Sequence, residues 1–270
     1  MDGKEVATLR PELKRLLAAS PNFRDLGGLP AADGRRIRGG LLYRSGALDE
    51  LEQADLLVLQ GLGIGLCFDL RSHGERGRHP SRWPPSAPPR TLAIEVATDV
   101  RALDRAAMQG LIDHPDAEGA AQLMRAIYRS MPGSCAPVLQ AVFAELADLR
   151  APQAAVIHCT AGKDRTGFVV AMLLHVLGVG EDEIRANYLE TNQHYDAARH
   201  DAKIATVLEG MFGVALGPAA MQAITAARLD YLEAAFDSIR QGWGGLDAYL
   251  EDRGGLGAAL RGRLREALLE

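Results

Sequence analysis

Cysteine is scarce in this chain: Cys67, Cys135 and Cys159 are the only three in 270 residues. Three scattered thiols make no disulfide framework, and the expected compartment is a reducing one. Positive charge is not in excess either. A net charge of −5 argues against general nucleic-acid binding, so any anion recognition has to be local rather than a property of the whole surface. Long hydrophobic runs are missing. The longest, Phe168 to Leu177, contains His175 and falls well short of the ~20 residues of a membrane span. Met1-Asp-Gly-Lys-Glu5 lacks the apolar core of a signal peptide, which makes a cytoplasmic location the default expectation. The seven histidines show no metal-ligand spacing, neither H-E-x-x-H nor Cys/His pairs at finger intervals, so no metal or cofactor is expected. There is no internal repeat and no low-complexity tail. Hydrophobic content of 47% and charged content of 24% are ordinary for a globular protein, and the length suffices to bury a substantial core.

What the chain does have is His158-Cys-Thr-Ala-Gly-Lys-Asp-Arg-Thr-Gly167. The run before it, Ala154 to Ile157, reads as a buried strand, and Thr166 to Leu177 reads as a buried helix. A loop at such a junction turns successive backbone N–H groups toward one point, where the unsatisfied donors and dipole of the helix start favour an anion. Cys159 falls on the floor of that nest. A free thiol titrates at about 8.5, and surroundings of this kind lower it by several units, so Cys159 is expected to act as an anionic nucleophile. Arg165 brings a planar fork suited to two phosphate oxygens. Thr160, Ala161, Gly162 and Lys163 complete the expected phosphate-binding loop. The Thr166 hydroxyl is placed to hydrogen-bond the thiolate, and His158 to orient the loop through backbone hydrogen bonds. Phosphoryl transfer asks mainly for positioning and charge stabilisation, which this loop supplies without a metal.

The string HCTAGKDRTG resembles the H-C-x5-R-[ST] signature of the cysteine-dependent protein tyrosine phosphatase superfamily. Its Ala-Gly-Lys-Asp filling is similar to a bacterial, atypical branch with dual or triple specificity that also acts on phosphoinositides. Asn22-Phe-Arg-Asp-Leu-Gly-Gly28, Leu42-Tyr-Arg-Ser-Gly46 and Phe68-Asp-Leu-Arg-Ser72 resemble the same branch, so the likeness spans about residues 20 to 195 and is loose beyond. It implies an α/β, tyrosine-phosphatase-like fold, a phosphorylated protein or phosphoinositide as substrate, and export without a recognisable signal in some relatives. It also implicates the aspartate of Lys-Asp-Arg, here Asp164, in catalysis.

The coarse element pattern agrees with that fold. Few strands separated by helices favour a parallel-rich central sheet flanked by helices. The expected strands are 36–43 (or a hairpin), 64–70, 90–96 and 154–157. The expected helices are 12–19, 49–60, 137–149, 166–177, 181–199, 201–212, 218–239 and 255–269. One domain is expected over 1–270. Residues 99–131, broken at His114-Pro115, form a helical lid-like insertion over the active site, and the helices of 200–270 pack on the core.

The leaving group needs a proton, and the water of a second step needs a base. Asp164, inside the loop, is the favoured candidate. Asp69, at the end of a strand where ligands of parallel sheets gather, is the second, with partnership to Arg71 or Arg44 as its competing role. Asp99 is a third if the insertion closes. Lys163 is placed to bind a second phosphate, as on an inositol ring, or else only to add local positive potential. Arg24, Asp25, Arg44 and Ser45 read as pins for the loop. Cys67 reads as core, or as a backup thiol for Cys159. Three other functions compete with the phosphotyrosine phosphatase. An inositol-phosphate phosphatase differs only in its pocket. A non-catalytic phosphate-binding module usually lacks the cysteine or arginine present here. A rhodanese-like sulfur transferase lacks the Gly-Lys-Asp-Arg-Thr-Gly string. Oligomeric state leaves no mark in the sequence.

Overall fold

The computed structural model describes residues 17–20, 22–96, 105–194 and 197–270. Five strands make one sheet in the order β1-β2-β5-β3-β4: β1 (Arg24–Asp25), β2 (Leu42–Ser45), β3 (Ile64–Asp69), β4 (Arg90–Ala93) and β5 (Ala154–His158). The β1 edge runs antiparallel to β2, and every other pairing is parallel. The parallel-rich sheet flanked by helices is therefore as expected.

Why these strands sit in the middle follows from their side chains. Both faces of β5 are apolar, as a strand covered on each side requires. Ala155 and Ile157 join Leu66 and Phe68 in the larger core, whereas Ala154 and Val156 join Ile64 and Cys67 in the smaller one. The smaller core is closed by α1 (Gln53–Gly61) through Leu56 and Leu59. Ser45, His158 and Asp69 lie side by side in register, so β2, β5 and β3 end at one level. The chain leaves that level through residues 159–163 and enters α5 (Asp164–Leu177). This is the edge of a parallel sheet where ligands bind.

The remaining helices are α2 (His73–Arg78), α3 (Arg105–Asp113), α4 (Ala117–Leu146), α6 (Glu181–Leu189), α7 (Thr191–His194), α8 (Ala197–Phe212), α9 (Pro218–Thr225), α10 (Leu229–Trp243), α11 (Leu246–Asp252) and α12 (Ala258–Leu268). The α4 helix differs most from the sequence reading. Its 30 residues run through Pro132 and Pro137, each of which removes a backbone donor and ordinarily breaks a helix. Tertiary packing outweighs that here. Val138, Leu139, Val142 and Phe143 are fully buried, and the Tyr249 hydroxyl donates to the Pro132 carbonyl at 2.8 Å. The expected insertion at 99–131 consequently has no boundary near 131, because one helix carries the chain from it into the core.

The first half of α4 packs with α3, α8 and α9 in a separate cluster, around Leu111, Leu123, Ala220 and Ala223. The helices of 200–270 thus divide between this cluster and the core, where α10, α11 and α12 contribute Phe236, Leu250 and Leu264. The helix expected over 218–239 is two helices separated at Ala226–Arg228, and α11 was not anticipated. Of the strand or hairpin expected over 36–43, the strand begins only at Leu42, while the chain turns back on itself around Asp33-Gly34 through an antiparallel Pro30–Arg36 bridge. Ile37 instead bridges to Leu269 near the far end of the chain. The helix expected over 12–19 falls largely outside the described residues. Among the described residues no helix is long and apolar enough to cross a membrane.

Leu173 is fully buried on α5, whereas Leu57 on α1 is 61% exposed. Leu173→Ala is expected to cost about 2–5 kcal/mol in urea unfolding, and Leu57→Ala less than about 0.5 kcal/mol.

Candidate active site

Cys159 follows β5 and is almost fully buried at the floor of the loop. The loop's carbonyls are drawn outward. Ala47 N–H donates to the Thr160 carbonyl at 2.8 Å. The Gly162 carbonyl accepts from Arg44 Nη2 at 2.7 Å and from Asn22 Nδ2 at 2.6 Å. With the carbonyls held from behind, none of the backbone N–H groups from Thr160 to Lys163 finds a protein acceptor among the described residues. Amides left without acceptors in this way are what an anion nest requires.

Glycine is required at one point of this loop. Gly162 has φ +66°, and a Cβ there would lie 2.3 Å from the Ser45 carbonyl oxygen. The motifs flagged around residues 22–28 and 42–46 therefore serve the loop from behind. Arg44 is fully buried and also donates to Asn187 Oδ1 at 2.8 Å. Arg24 donates to Asn22 Oδ1 and to the Asn187 carbonyl, and lies 3.5 Å from Glu190. Asn22 itself adopts φ +69°, a conformation asparagine tolerates better than most residues and one that gathers at functional sites.

The two buried arginines share one partly exposed carboxylate, so their charge is poorly compensated. Burial, followed by repulsion from Arg44, pulls Arg24 down to about 8. Burial lowers Arg44 to about 10, against the opposing pull of Cys159, Tyr188 and Glu190. The back of the loop is thus electropositive in a chain that is acidic overall.

Arg165, on the first turn of α5, forms a fork-to-fork pair with Glu75 of α2, Nη1 to Oε2 and Nη2 to Oε1, both at 2.8 Å. Burial opposes the charge on both groups. For Arg165 the Glu75 hydrogen bonds and nearby anionic groups outweigh it and raise the pKa. For Glu75 the Arg165, Thr160 and Ser72 contacts hold the carboxyl well below the usual range. Glu75 was not anticipated, although Ser72-His-Gly-Glu75 is a capping box that places it at the start of α2.

The two candidate acids have different surroundings. Asp164 is the first residue of α5, with its side chain 28% exposed. Its Oδ1 accepts from the Tyr128 hydroxyl at 2.8 Å and lies 3.4 Å from Lys163 Nζ. Tyr128 in turn shares a hydrogen bond with Tyr188 at 2.7 Å, and burial raises both phenols far above their usual range. Asp69 is buried and held by Arg71 through 2.9 and 2.7 Å hydrogen bonds. Burial pushes its carboxyl up, but the Arg71 hydrogen bonds and the charges of His158 and Arg71 prevail and lower it.

Lys163 is 4% exposed, and its ammonium donates to the carbonyls of Ile224 and Ala226 at the end of α9. Thr166 Oγ1 is buried without a hydrogen-bond partner among the described residues. His158 Nδ1 donates to the Cys159 carbonyl at 3.3 Å, and its Nε2 lies 3.6 Å from Asp69. Cys67 packs in the small core on the other sheet face from Cys159. Asp99 lies outside the described residues. A mostly apolar cavity of about 760 Å³ lies beside the site between α7, α8 and α9, lined by Asn192, Leu216, Met221 and Ala226 among others, and none of residues 158–166 lines it.

A buried cysteine beside these amides, with an arginine on the following helix turn, is an arrangement suited to holding a phosphate. The chain belongs to the tyrosine phosphatase family, whose model matches residues 16–270. It is 38% identical over 234 residues to a Cupriavidus necator protein provisionally named a tyrosine-protein phosphatase, covering 86% of this chain and 80% of that one. It is 31% identical over 280 residues to the triple specificity protein phosphatase PtpB of Mycobacterium tuberculosis, covering 94% of this chain and 99% of PtpB. A likeness to the solved structure of TpbA from P. aeruginosa (18% identity, TM-score 0.30, 66% of this chain and 90% of that one) adds no weight to the assignment. The protein is a phosphatase, and its family implies a phosphorylated protein as substrate.

Two tests follow from the geometry. Gly162→Ala has to displace the loop from Ser45, and a shift of that kind is expected to cost about 100-fold in kcat/KM on an aryl phosphate. His158 gives a pH test. Burial lowers its pKa from 6.5 to about 4, so between those values the unfolded chain binds a proton that the folded one refuses. Stability then falls as pH drops from 6.5 toward 4, by up to about 3 kcal/mol. His158→Gln is expected to flatten the stability–pH curve in that window, measured by urea unfolding.

Proposed function

We propose that this phosphatase hydrolyses phosphotyrosine in proteins through a phosphocysteine intermediate, without a metal. The arrangement of Cys159 beneath the unpaired amides of 160–163 carries the reading. The Cys159 thiolate attacks phosphorus in line with the leaving phenolate. The equatorial oxygens are taken by the loop amides and the Arg165 fork, which supply charge stabilisation already in place before the reaction. Thr166 Oγ1, buried with no other partner, is available to stabilise the sulfur as it leaves the phosphocysteine. An unsatisfied buried hydroxyl calls for such an explanation.

Asp164 protonates the leaving phenolate and then activates the water that hydrolyses the phosphocysteine. Its partial exposure at the loop and its fixing by Tyr128 favour it over Asp69, whose oxygens are taken up by Arg71. His158 orients the loop through the Cys159 carbonyl. The triple specificity in PtpB's name, together with the resemblance of the Ala-Gly-Lys-Asp loop filling to a branch that acts on phosphoinositides, extends the proposal to phosphoserine, phosphothreonine and phosphoinositides. Lys163 would reach a second phosphate on an inositol ring only after releasing the α9 carbonyls, so the contribution of that substrate class depends on movement of α9. In this reading α3 and the first half of α4, which cluster with α8 and α9, form the lid beside the site.

Hydrolysis of an aryl phosphate in EDTA with reductant tests the proposal. Wild type is expected to turn over, and Cys159→Ser to lose turnover while still binding inorganic phosphate. Retained turnover in Cys159→Ser would remove the nucleophile from the scheme. Asp164→Asn is expected to lower kcat by about 10²–10⁴-fold. Asp69→Asn should act mainly on stability, since it leaves Arg71 without its charge partner. The reverse order would transfer the acid role to Asp69.

A further inference from the structure

Asp164 is held at one of its two oxygens only. Oδ1 accepts from the Tyr128 hydroxyl at 2.8 Å and lies 3.4 Å from Lys163 Nζ, while no protein donor reaches Oδ2 among the described residues. We infer that Tyr128, backed by Tyr188, is the positioning residue of the acid: the pair fixes Oδ1 and leaves Oδ2 to deliver the proton to the leaving oxygen. The inference rests on the reading of Asp164 as that acid.

The direction of the hydrogen bonds follows from counting protons. A phenol has one proton to give, and a carboxylate oxygen can only accept. Tyr128 therefore gives its proton to Asp164 Oδ1, and the 2.7 Å bond between the two hydroxyls is donated by Tyr188. A proton carried on Oδ2 leaves Oδ1 an acceptor still, so the Tyr128 bond is kept before and after the transfer. A proton on Oδ1 would face both the Tyr128 proton and the Lys163 ammonium. In the first step the Oδ2 proton passes to the phenolate oxygen as its bond to phosphorus breaks, and Asp164 is left as a carboxylate. In the second step that carboxylate takes a proton from the water that attacks phosphocysteine, which restores the acid. Neither tyrosine gains or loses a proton over the cycle.

Packing holds the pair in place. Tyr128 and Tyr188 are both buried, with their rings edge to face at 6.3 Å. Tyr231 of α10 lies against Tyr128 at 5.8 Å and turns its own hydroxyl away, to the Ala223 carbonyl at 2.7 Å. Tyr188 lies against the glycine that ends the loop motif, where a Cβ on Gly167 would come within 3.0 Å of its ring. A relay drawing protons from solvent through these hydroxyls is a different use of the same chain. Burial argues against it, since neither ring opens to solvent and both phenols are pushed far above their usual range.

An acid matters most when the leaving group is basic, and little when it departs readily as an anion. The test therefore compares kcat/KM on a phosphotyrosine peptide with kcat/KM on dinitrophenyl phosphate, in the full chain. That constant closes with departure of the leaving group, before water attacks. Tyr128→Phe is expected to lower the ratio of peptide to dinitrophenyl ester about tenfold, and Tyr188→Phe about threefold. Asp164→Asn is expected to lower it about 100-fold, and adding Tyr128→Phe to Asp164→Asn to change it less than about twofold further. Calorimetric binding of inorganic phosphate on a Cys159→Ser background is expected to change less than about twofold with Tyr128→Phe, because the loop contacts are untouched. A ratio unchanged in both tyrosine variants, equal losses on the two substrates included, would overturn the inference and leave the tyrosines as core. So would a tenfold fall that persists in the Asp164→Asn background, or phosphate binding that weakens in step with the ratio. An unchanged ratio in Asp164→Asn would instead remove Asp164 from the acid role and take the inference with it.

Discussion

The Gly162 carbonyl is the point on which the site depends. Arg44 and Asn22 pull it outward, while none of the backbone N–H groups from Thr160 to Lys163 finds a protein acceptor among the described residues. The grip works only because Gly162 can adopt a positive φ against the Ser45 carbonyl, and because β2 lies directly beside β5 with Ser45 level with His158. Sheet order, a glycine and a buried arginine are thus parts of one constraint. Burying two arginines behind the loop with little compensating charge is costly, as the lowering of Arg24 to about 8 indicates. The fold tolerates this because the same positive field favours the anions that the front of the loop has to hold.

Charge around the loop is arranged in two shells of opposite use. Behind it, Arg24 and Arg44 bond mainly to carbonyls and amide oxygens, which leaves their positive charge in force. At its rim, Arg165 is matched by Glu75, and Arg71 by Asp69, in bidentate pairs that fix geometry more than they add net charge. A chain with a net charge of −5 can therefore present a phosphate-binding cup without a basic surface. The polar chain Tyr188–Tyr128–Asp164 completes the rim from the opposite side, with the long α4 helix as its support.

Much of the site was legible from its local string. His158 to Gly167 implied the strand, the turn, the helix, the nucleophile and the arginine, because each of these is encoded within a few residues. The segments at 22–28 and 42–46 were legible as loop supports, the roles Asn22 and Arg44 take, while 68–72 was legible as Asp69 with Arg71 as its competing partner, and Arg71 is what holds it. What was not legible came from distant parts of the chain. Tyr128 reaches Asp164 only because α4 continues through two prolines, which local rules read as breaks and tertiary packing overrides. Asn187 and Tyr188 arrive from α6 without any motif. Lys163 read as exposed or substrate-facing, since nothing near it in sequence foretells the α9 carbonyls that receive its ammonium. Glu75 went unread altogether: its capping box is a local feature, but its pairing with Arg165 joins two elements far apart in the chain.

The central claim is that phosphate passes through Cys159. Rapid acid quench of the wild-type protein during turnover of an aryl phosphate, followed by mass spectrometry of its peptides, tests this directly. The account predicts a phosphate adduct on the peptide carrying Cys159, appearing within the first turnover and decaying as substrate is exhausted. Steady turnover with no adduct there, or with the phosphate on another residue, would contradict it.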